Sequence, residues 1–141
     1  DLDNTLTRYR QLEPDPALIT WRDELHQAGI TLFVVSNSRR PNRAQQFCAN
    51  LDVPFISHAG KPHAAAFHQA MEQCGCTAEE TLMVGDRLYT DIACGRNAGV
   101  DTVLVLTGEA TAQDAAVSAT PPTLICRDMA ELLRRIREAR S

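Results

Sequence analysis

Five continuous apolar runs, rich in β-branched residues, constrain the fold of this chain more than any other feature. The three strongest cover residues 30–35, 81–84 and 102–106, and shorter runs cover residues 53–56 and 123–126. Strands that are apolar on both faces, rather than alternating in polarity, are typical of parallel sheets with helices packed on both sides. The runs therefore predict strands of one parallel sheet.

Helical patterns fill the gaps between these runs, at residues 16–28, 62–74, 89–98 and from 128 onward, with a weaker pattern at residues 43–51. The first helix has a candidate N-cap at Asp15, followed by Pro16 at the first helical position. Strands and helices that alternate through short connections predict βαβ units and a doubly wound, three-layer α/β fold. The Ala- and Thr-rich stretch 109–122 predicts a surface loop with a helical turn.

Composition and charge fit a single domain over residues 1–141 and exclude several function classes. The net charge of −4 argues against a general nucleic-acid-binding protein, which is normally basic. No apolar run approaches the roughly 20 residues of a membrane-spanning helix. No signal-peptide pattern is visible, so we expect a cytoplasmic protein. Five scattered cysteines predict reduced, mostly buried thiols rather than a zinc site.

Four loops contain the polar residues that are candidates for chemistry, at residues 1–7, 36–38, 61–62 and 85–91. Ligands of doubly wound sheets bind beyond the carboxyl ends of the strands, and these loops are expected there. Together they offer four carboxylates, a hydroxyl, an amide and an ammonium group at one edge of the sheet. The side chains are those of Asp1, Asp3, Ser36, Asn37, Lys61, Asp86 and Asp91.

These groups suit phosphoryl transfer with Mg²⁺, which prefers oxygen ligands that Asp1, Asp3 and Asp86 can supply. A carboxylate can attack phosphorus and form an aspartyl-phosphate. A second carboxylate two residues away, on the same side of an extended segment, can protonate the leaving group and then activate water. The phosphoryl oxygens can be bound by Ser36, Asn37 and Lys61.

Each of these signals has a structural alternative when it is taken alone. An Asp-x-Asp pair is commonly a turn or a cap, a Lys-Pro pair commonly starts a helix, and a Gly-Asp pair after a strand is often only a turn. Their occurrence together, in this order and at strand ends, favours a functional site. Lys61 is also the single lysine among 14 basic residues, and its compact ammonium group suits a point-charge contact with phosphate.

The same segments resemble the four motifs of phosphatases of the haloacid-dehalogenase (HAD) superfamily. The matching residues are Asp1-Leu2-Asp3-Asn4-Thr5-Leu6-Thr7, Val34-Val35-Ser36-Asn37, Lys61-Pro62 and Gly85-Asp86-Arg87-Leu88-Tyr89-Thr90-Asp91. The whole pattern is similar to the YqeG-like, phosphatidylglycerophosphate phosphatase-like branch of class IIIA, over roughly residues 1–109. The resemblance implies a HAD-like Rossmannoid fold and Mg²⁺-dependent phosphatase activity.

The resemblance also implies a role for each residue of these motifs. Asp1 would be the nucleophile and Asp3 the acid/base, and Mg²⁺ would be held by Asp1, Asp3 and Asp86. Asp91 would be an outer-shell carboxylate that steadies Lys61 or the metal site. The substrate-binding residues would be Thr5, which supports the loop, Ser36, Asn37 and Lys61.

Members of this family have an apolar central strand before the first catalytic aspartate, whereas this sequence opens on Asp1. We expect a strand before Asp1 in the complete protein, because losing a central strand would expose the buried faces of its neighbours. We expect no cap domain. Only one helix fits between Thr5 and Ser36, and only a helix and a strand fit between Ser36 and Lys61. The site should therefore be open.

Six arginines lie in or just beyond the catalytic loops, although the chain is net acidic: Arg8, Arg10, Arg39, Arg40, Arg43 and Arg87. A basic rim attracts substrates that carry negative charge beyond the scissile phosphate. Phosphatidylglycerophosphate or a related lipid headgroup is the first expectation, with peripheral contact at the inner membrane face. The alternatives are a nucleotide or sugar phosphatase, or a non-catalytic phosphate-binding interaction module.

Overall fold

The computed structural model describes residues 1–3, 5–7, 13–38 and 41–140, and of residue 41 only the backbone. Along these residues strands and helices alternate, as the sequence predicts. The strands are β1 (Val34–Val35), β2 (Phe55–Ile56), β3 (Leu82–Gly85), β4 (Asp101–Val105) and β5 (Leu124–Cys126). The α-helices are α1 (Pro16–Gln27), α2 (Pro41–Leu51), α3 (Ala65–Cys74), α4 (Ala93–Ala98), α5 (Ala112–Ala116) and α6 (Met129–Arg140).

All strand pairs are parallel, but among the described residues they form two sheets rather than the one expected. β1 pairs with β2, with Val34 opposite Phe55. β4 lies between β3 and β5 in the second sheet. Of the predicted strand 30–35, only Val34 and Val35 are paired, because β2 runs alongside it for two residues. The other edge of β1 has no neighbouring strand in the described part of the chain.

Helices cover both faces of the sheets, which confirms the three-layer α/β architecture. Side chains along β4 alternate between the faces: Val103 and Val105 pack with Leu132 of α6, whereas Leu104 packs with Ile92 on the opposite side. On the α6 face, the largest buried cluster joins α1, α2 and α6. On the other face, α3 and α4 pack on β3. The continuous apolar sequence of β4 therefore follows from burial on both of its faces.

An apolar slot of about 300 Å³ separates the two sheets. Residues 29–33, before β1, and residues 80–84, which lead into β3, form its walls, and helices α1, α3 and α6 close it. Asp1 lines the same slot, and its backbone nitrogen donates to Val84 O at 3.1 Å.

The described segments between the catalytic loops are too small to form a cap domain. Residues 13–33 form α1 and the approach to β1. Between Ser36 and Lys61 the described residues form α2 and β2. The carboxyl edge of the strands is therefore not covered by an inserted domain in the part of the chain that the structure describes.

Two helices begin differently from the sequence pattern. α3 begins at Ala65 rather than near Pro62, whose carbonyl oxygen accepts a hydrogen bond from Asn97 Nδ2 of α4 at 3.0 Å. A π-helical turn over Leu88–Ile92 precedes α4. Such turns are rare in proteins, and many of those that do occur lie at functional sites. In this protein the turn contains Asp91, one of the predicted site residues.

All five cysteines are free thiols: Cys48, Cys94 and Cys126 are buried, and Cys74 and Cys76 are partly buried. Burial raises the pKa of the Cys48 thiol from 9.0 to about 11, so this thiol stays protonated and unreactive at neutral pH. None of the described helices combines the length and the apolar character needed to cross a bilayer.

Candidate active site

Segments that are far apart in the sequence meet at the carboxyl edges of β1 and β3. Ser36 follows β1 directly, Lys61 follows β2, and Asp86 follows β3. Three carboxylates gather at this edge: Asp1, Asp86 and Asp91 each place one oxygen within 4.8 Å of the others. Parallel strands end on the same side of a sheet, so the fold brings these groups together as the loop positions predict.

Lys61 is the positive centre of this cluster. Its ammonium group contacts Asp91 Oδ1 at 2.5 Å, Val35 O at 2.9 Å and Asp1 Oδ1 at 3.1 Å, which occupies all three of its N–H donors. The side chain is only 2% exposed, so water screens its charge weakly. Lys61 therefore holds the Asp1 carboxylate in position at the end of β1.

A hydroxyl group lies between the carboxylates of Asp1 and Asp86. Thr5 Oγ1 is 3.1 Å from Asp1 Oδ2 and 3.4 Å from Asp86 Oδ1, and its single proton can serve one of them at a time. The fully buried Leu2 anchors this turn, because its carbonyl oxygen accepts from the backbone N–H groups at residues 5–7. The predicted roles of Thr5, supporting the loop and contacting the substrate, stay predictions.

Asp86 has the least satisfied carboxylate of the site. It is 2% exposed, and its Oδ2 has no hydrogen-bond partner among the described residues. Burial, and then the nearby charge of Asp91, raise the pKa of Asp86 above 3.8. A buried, unpaired carboxylate oxygen is costly, and a bound cation would remove that cost. The oxygen donors of Asp1 and Asp86 fit Mg²⁺, which binds through one or two carboxylates together with water and phosphate.

Asp91 holds the neighbouring residues in position through an ion pair and two hydrogen bonds. One oxygen contacts Lys61, and the other accepts from the backbone nitrogens of Asp86 and Arg87, each at 3.2 Å. A β-carbon at Gly85 would lie 2.3 Å from the Asp91 side chain, so this close approach requires glycine. Both oxygens of Asp91 are therefore engaged by these neighbours, and its role as a supporting carboxylate stays a prediction.

Asp3 is not part of the carboxylate cluster and instead forms an ion pair with Arg43 of α2. Arg43 Nη2 lies 2.5 Å from Asp3 Oδ1, and Nη1 donates to Asp3 Oδ2 at 3.2 Å. The Arg43 side chain is 10% exposed and that of Asp3 is 26% exposed. A two-point contact of this kind fixes the plane of the carboxylate. The roles of Asp3 as acid/base and metal ligand stay predictions.

Ser36 and Asn37 shape the loop after β1. Ser36 is buried, and its Oγ accepts from Ser38 N at 3.1 Å. The side-chain amide of Asn37 forms two hydrogen bonds with the backbone of Lys61. Its Oδ1 accepts from Lys61 N at 2.9 Å, and its Nδ2 donates to Lys61 O at 3.1 Å. Asn37 therefore ties the second loop to the third, and the phosphate contacts of Ser36 and Asn37 stay predictions.

Gly108, in the loop after β4, belongs to the site but was not among the residues predicted from the sequence. A β-carbon at this residue would stand 1.9 Å from Asp86 Oδ2. The rule that ligands bind beyond the carboxyl ends of strands applies equally to this loop and could have identified it. Arg43 was expected on the basic rim, but no local pattern in the sequence shows its contact with Asp3.

The structure describes part of the basic rim. Arg8, Arg10, Arg39 and Arg40 lie outside the described residues. Arg87 is exposed, and its Nη2 lies 3.4 Å from Glu109 Oε1. Exposed pairs of this kind contribute little to stability.

Comparison with known proteins gives a family context for these residues. Residues 58–132 match a family model described as HAD-hydrolase-like. The probable phosphatase YqeG of Bacillus subtilis is 37% identical over 106 residues, which are 75% of this chain and 61% of that protein. The 5′-nucleotidase YutF of the same organism is 55% identical over 49 residues, or 35% of this chain and 19% of that protein. The chain thus spans less than two thirds of the length of either relative.

The fold is shared with solved structures. The D,D-heptose 1,7-bisphosphate phosphatase of B. bronchiseptica, whose crystal structure contains magnesium and phosphate, superposes with a TM-score of 0.74 at 18% identity. The match covers 98% of this chain and 96% of that structure. At this level of identity the similarity concerns the fold.

Proposed function

This chain belongs to the HAD-like hydrolases, and on that basis we propose that it is a Mg²⁺-dependent phosphomonoester hydrolase that forms an aspartyl-phosphate on Asp1. The observation that carries the proposal is the cluster in which Lys61 contacts Asp1 while Asp86 keeps a buried, unpaired oxygen. Mg²⁺ would be held by Asp1 and Asp86, with Asp3 in the predicted ligand set. When bound, it supplies positive charge that stabilises the phosphoryl oxygens.

In the first half-reaction Asp1 is the nucleophile. One oxygen of its carboxylate forms a bond to phosphorus as the ester P–O bond breaks, and that electron pair passes to the leaving oxygen. Asp3 gives this oxygen a proton, so that the alcohol leaves in neutral form. Lys61 orients Asp1 and adds a positive charge beside the phosphoryl group.

In the second half-reaction water attacks the aspartyl-phosphate. Asp3, now ionised, takes a proton from the water as the new P–O bond forms. The bond between phosphorus and Asp1 breaks, which restores the Asp1 carboxylate and releases inorganic phosphate. In this proposal Ser36 and Asn37 contact the phosphoryl oxygens in both steps, and Asp91 keeps Lys61 in place.

We place the substrate among anionic phosphomonoesters. The uncapped edge of the described sheet leaves room for a bulky leaving group, and the arginines in the catalytic loops favour negative charge. A lipid headgroup of the phosphatidylglycerophosphate type is the first candidate, for a cytoplasmic protein that contacts the inner membrane face. A nucleotide or a sugar phosphate is the alternative, and the similarity to a 5′-nucleotidase supports it.

Hydrolysis of 4-nitrophenyl phosphate by the purified full-length protein tests the activity. We expect turnover that stops in excess chelator and resumes when Mg²⁺ is restored. A non-catalytic phosphate-binding module would instead bind inorganic phosphate without releasing nitrophenol. Undiminished turnover in excess chelator would exclude the metal site at Asp1 and Asp86.

A further inference from the structure

Arg43 restricts the side chain of Asp3, which stands apart from the carboxylate cluster of the site. A carboxylate on a loop can rotate about its side-chain bonds, whereas an acid/base must lie within hydrogen-bond distance of the oxygen that it protonates. Arg43 Nη2 lies 2.5 Å from Asp3 Oδ1, and Nη1 donates to Asp3 Oδ2 at 3.2 Å. Both oxygens of the predicted acid/base are thus held by one side chain.

The position of Arg43 is set by a helix that is part of the core. Arg43 lies in the first turn of α2, and the same helix buries Ala44 and Phe47 in the cluster that α2 shares with α1 and α6. Close packing leaves such a helix few alternative positions. The Arg43 side chain is nine-tenths buried, so water competes weakly for its N–H groups. Core packing therefore determines where the two N–H donors meet Asp3.

We propose that Arg43 is a positioning residue: it holds the Asp3 carboxylate in the orientation from which Asp3 protonates the leaving oxygen and then activates water. The inference rests on the proposed function, which assigns both proton transfers to Asp3. Two parallel N–H contacts fix the plane of a carboxylate, whereas a single contact leaves it free to turn. Both Nη atoms of Arg43 contact Asp3, so Arg43 acts through Asp3 rather than on the substrate.

The two proton transfers give this role a kinetic signature. Nitrophenolate leaves phosphorus without needing a proton, whereas an alkoxide needs one from the general acid. Loss of the orientation of Asp3 should therefore slow the first half-reaction only for alkyl phosphates. It should slow the second half-reaction for every substrate, since all of them pass through the same aspartyl-phosphate. A purely structural role for Arg43 would instead lower activity by the same factor on all substrates.

The experiment measures kcat and KM of the full-length protein for benzyl phosphate and 4-nitrophenyl phosphate at saturating Mg²⁺. Arg43→Gln should lower kcat/KM for benzyl phosphate by about 100-fold, the lower end of the scale for general acid–base catalysis. For 4-nitrophenyl phosphate, kcat and KM should fall together and leave kcat/KM nearly unchanged, because slow attack by water lets the aspartyl-phosphate accumulate. A burst of nitrophenol equal to the enzyme concentration should then appear.

Two further variants serve as controls. Arg43→Lys keeps the positive charge but cannot hold both oxygens of Asp3 in the same way, so its loss on benzyl phosphate should be smaller than that of Arg43→Gln. Arg22→Gln is the matched control. Arg22 of α1 is partly buried, pairs with Asp23 and also contacts α2, but at Leu51 O, at the opposite end of that helix from Arg43. Arg22→Gln should show wild-type kinetics on both substrates.

A double-mutant cycle tests whether Arg43 works through Asp3. In the Asp3→Asn background, adding Arg43→Gln should not lower kcat/KM for benzyl phosphate any further, because no acid is left to orient. Losses that add in the double variant, or equal losses on the two substrates in Arg43→Gln, would overturn the proposal. Higher turnover in Arg43→Gln would also overturn it, since Arg43 would then hold Asp3 away from the substrate.

Circular dichroism checks that each variant is folded, and if Arg43→Gln is not, the ratio between the two substrates in Arg43→Lys decides. Failure of the positioning role and failure of the proposed function give different results. If the wild type hydrolyses neither substrate, the proposed function is refuted and the role of Arg43 with it. If the wild type hydrolyses both and the variants lose activity equally on both, only the role of Arg43 is refuted.

Discussion

Gly108 packs directly against Asp86, since a β-carbon at residue 108 would stand 1.9 Å from Asp86 Oδ2 and 2.6 Å from Cγ. The oxygen that it approaches is the one that has no hydrogen-bond partner among the described residues. The loop after β4 thus sets the position of a predicted metal ligand from a different strand. Glycine is required because any side chain would push the carboxylate away.

We expect Gly108→Ala to weaken Mg²⁺ binding by about 10- to 100-fold, the usual scale for losing a group that positions a metal ligand. The measurement is the Mg²⁺ concentration that gives half-maximal hydrolysis of an aryl phosphate. Gly75→Ala is the control. Gly75 has a left-handed backbone conformation (φ 65°) that an alanine adopts with strain, but the added β-carbon would have no other atom within 4 Å. The control should lose about 1 kcal/mol of stability without a change in the Mg²⁺ midpoint. An unchanged midpoint in Gly108→Ala would contradict the packing argument.

Asp1→Asn should abolish turnover and leave the protein folded, because the change is nearly isosteric and removes the nucleophile. Asp3→Asn should keep phosphate binding and slow both half-reactions by roughly 10²- to 10⁴-fold, the scale of general acid–base catalysis. Single-turnover kinetics with an aryl phosphate separates the two steps. Wild-type activity in Asp1→Asn would eliminate the covalent mechanism.

Asp86→Asn should stabilise the metal-free protein at neutral pH by about 1–2 kcal/mol, because it removes a buried charge whose Oδ2 has no partner among the described residues. The pKa of Asp86 is raised in the folded state, so the folded protein binds its proton more tightly than the unfolded chain does. The stability of the metal-free wild type should therefore fall as pH rises from 3.8 through the raised pKa.

Thermal unfolding at several pH values, with and without Mg²⁺, checks this expectation. In Asp86→Asn, the stability of the metal-free protein should no longer fall as pH rises from 3.8 through the raised pKa of Asp86. Most of the rise in Tm that Mg²⁺ causes in the wild type should also be absent. A large Mg²⁺-induced rise in Tm in the variant would show that the ion binds elsewhere.

Asp91→Ala should destabilise the protein by about 3 kcal/mol or more, because it leaves a buried lysine without its nearest carboxylate. It also removes the acceptor of the backbone nitrogens of Asp86 and Arg87. Urea unfolding measures the loss. The double variant Lys61→Met, Asp91→Ala should recover part of it, since the unpaired charge is gone. A single variant as stable as the wild type would show that Lys61 finds another partner.

Much of this protein could be predicted because its signals are local in the sequence. The apolar runs around Val34, Met83 and Leu104 predict buried strands, and these residues lie in β1, β3 and β4. Parallel strands place the residues that follow them on one edge, so the order of residues along the chain was enough to assign Asp86 and Lys61 to a common site.

Tertiary structure alone decided the relationships between residues that are distant in the chain. The pairing of Arg43 with Asp3 and the approach of Gly108 to Asp86 depend on how α2 and the loop after β4 pack. No local pattern encodes them, because hydrophobic periodicity reports which face of an element is buried and not which residue of another element it meets. Specific contacts arise only when the packed core brings the elements together, since close packing leaves each side chain few positions.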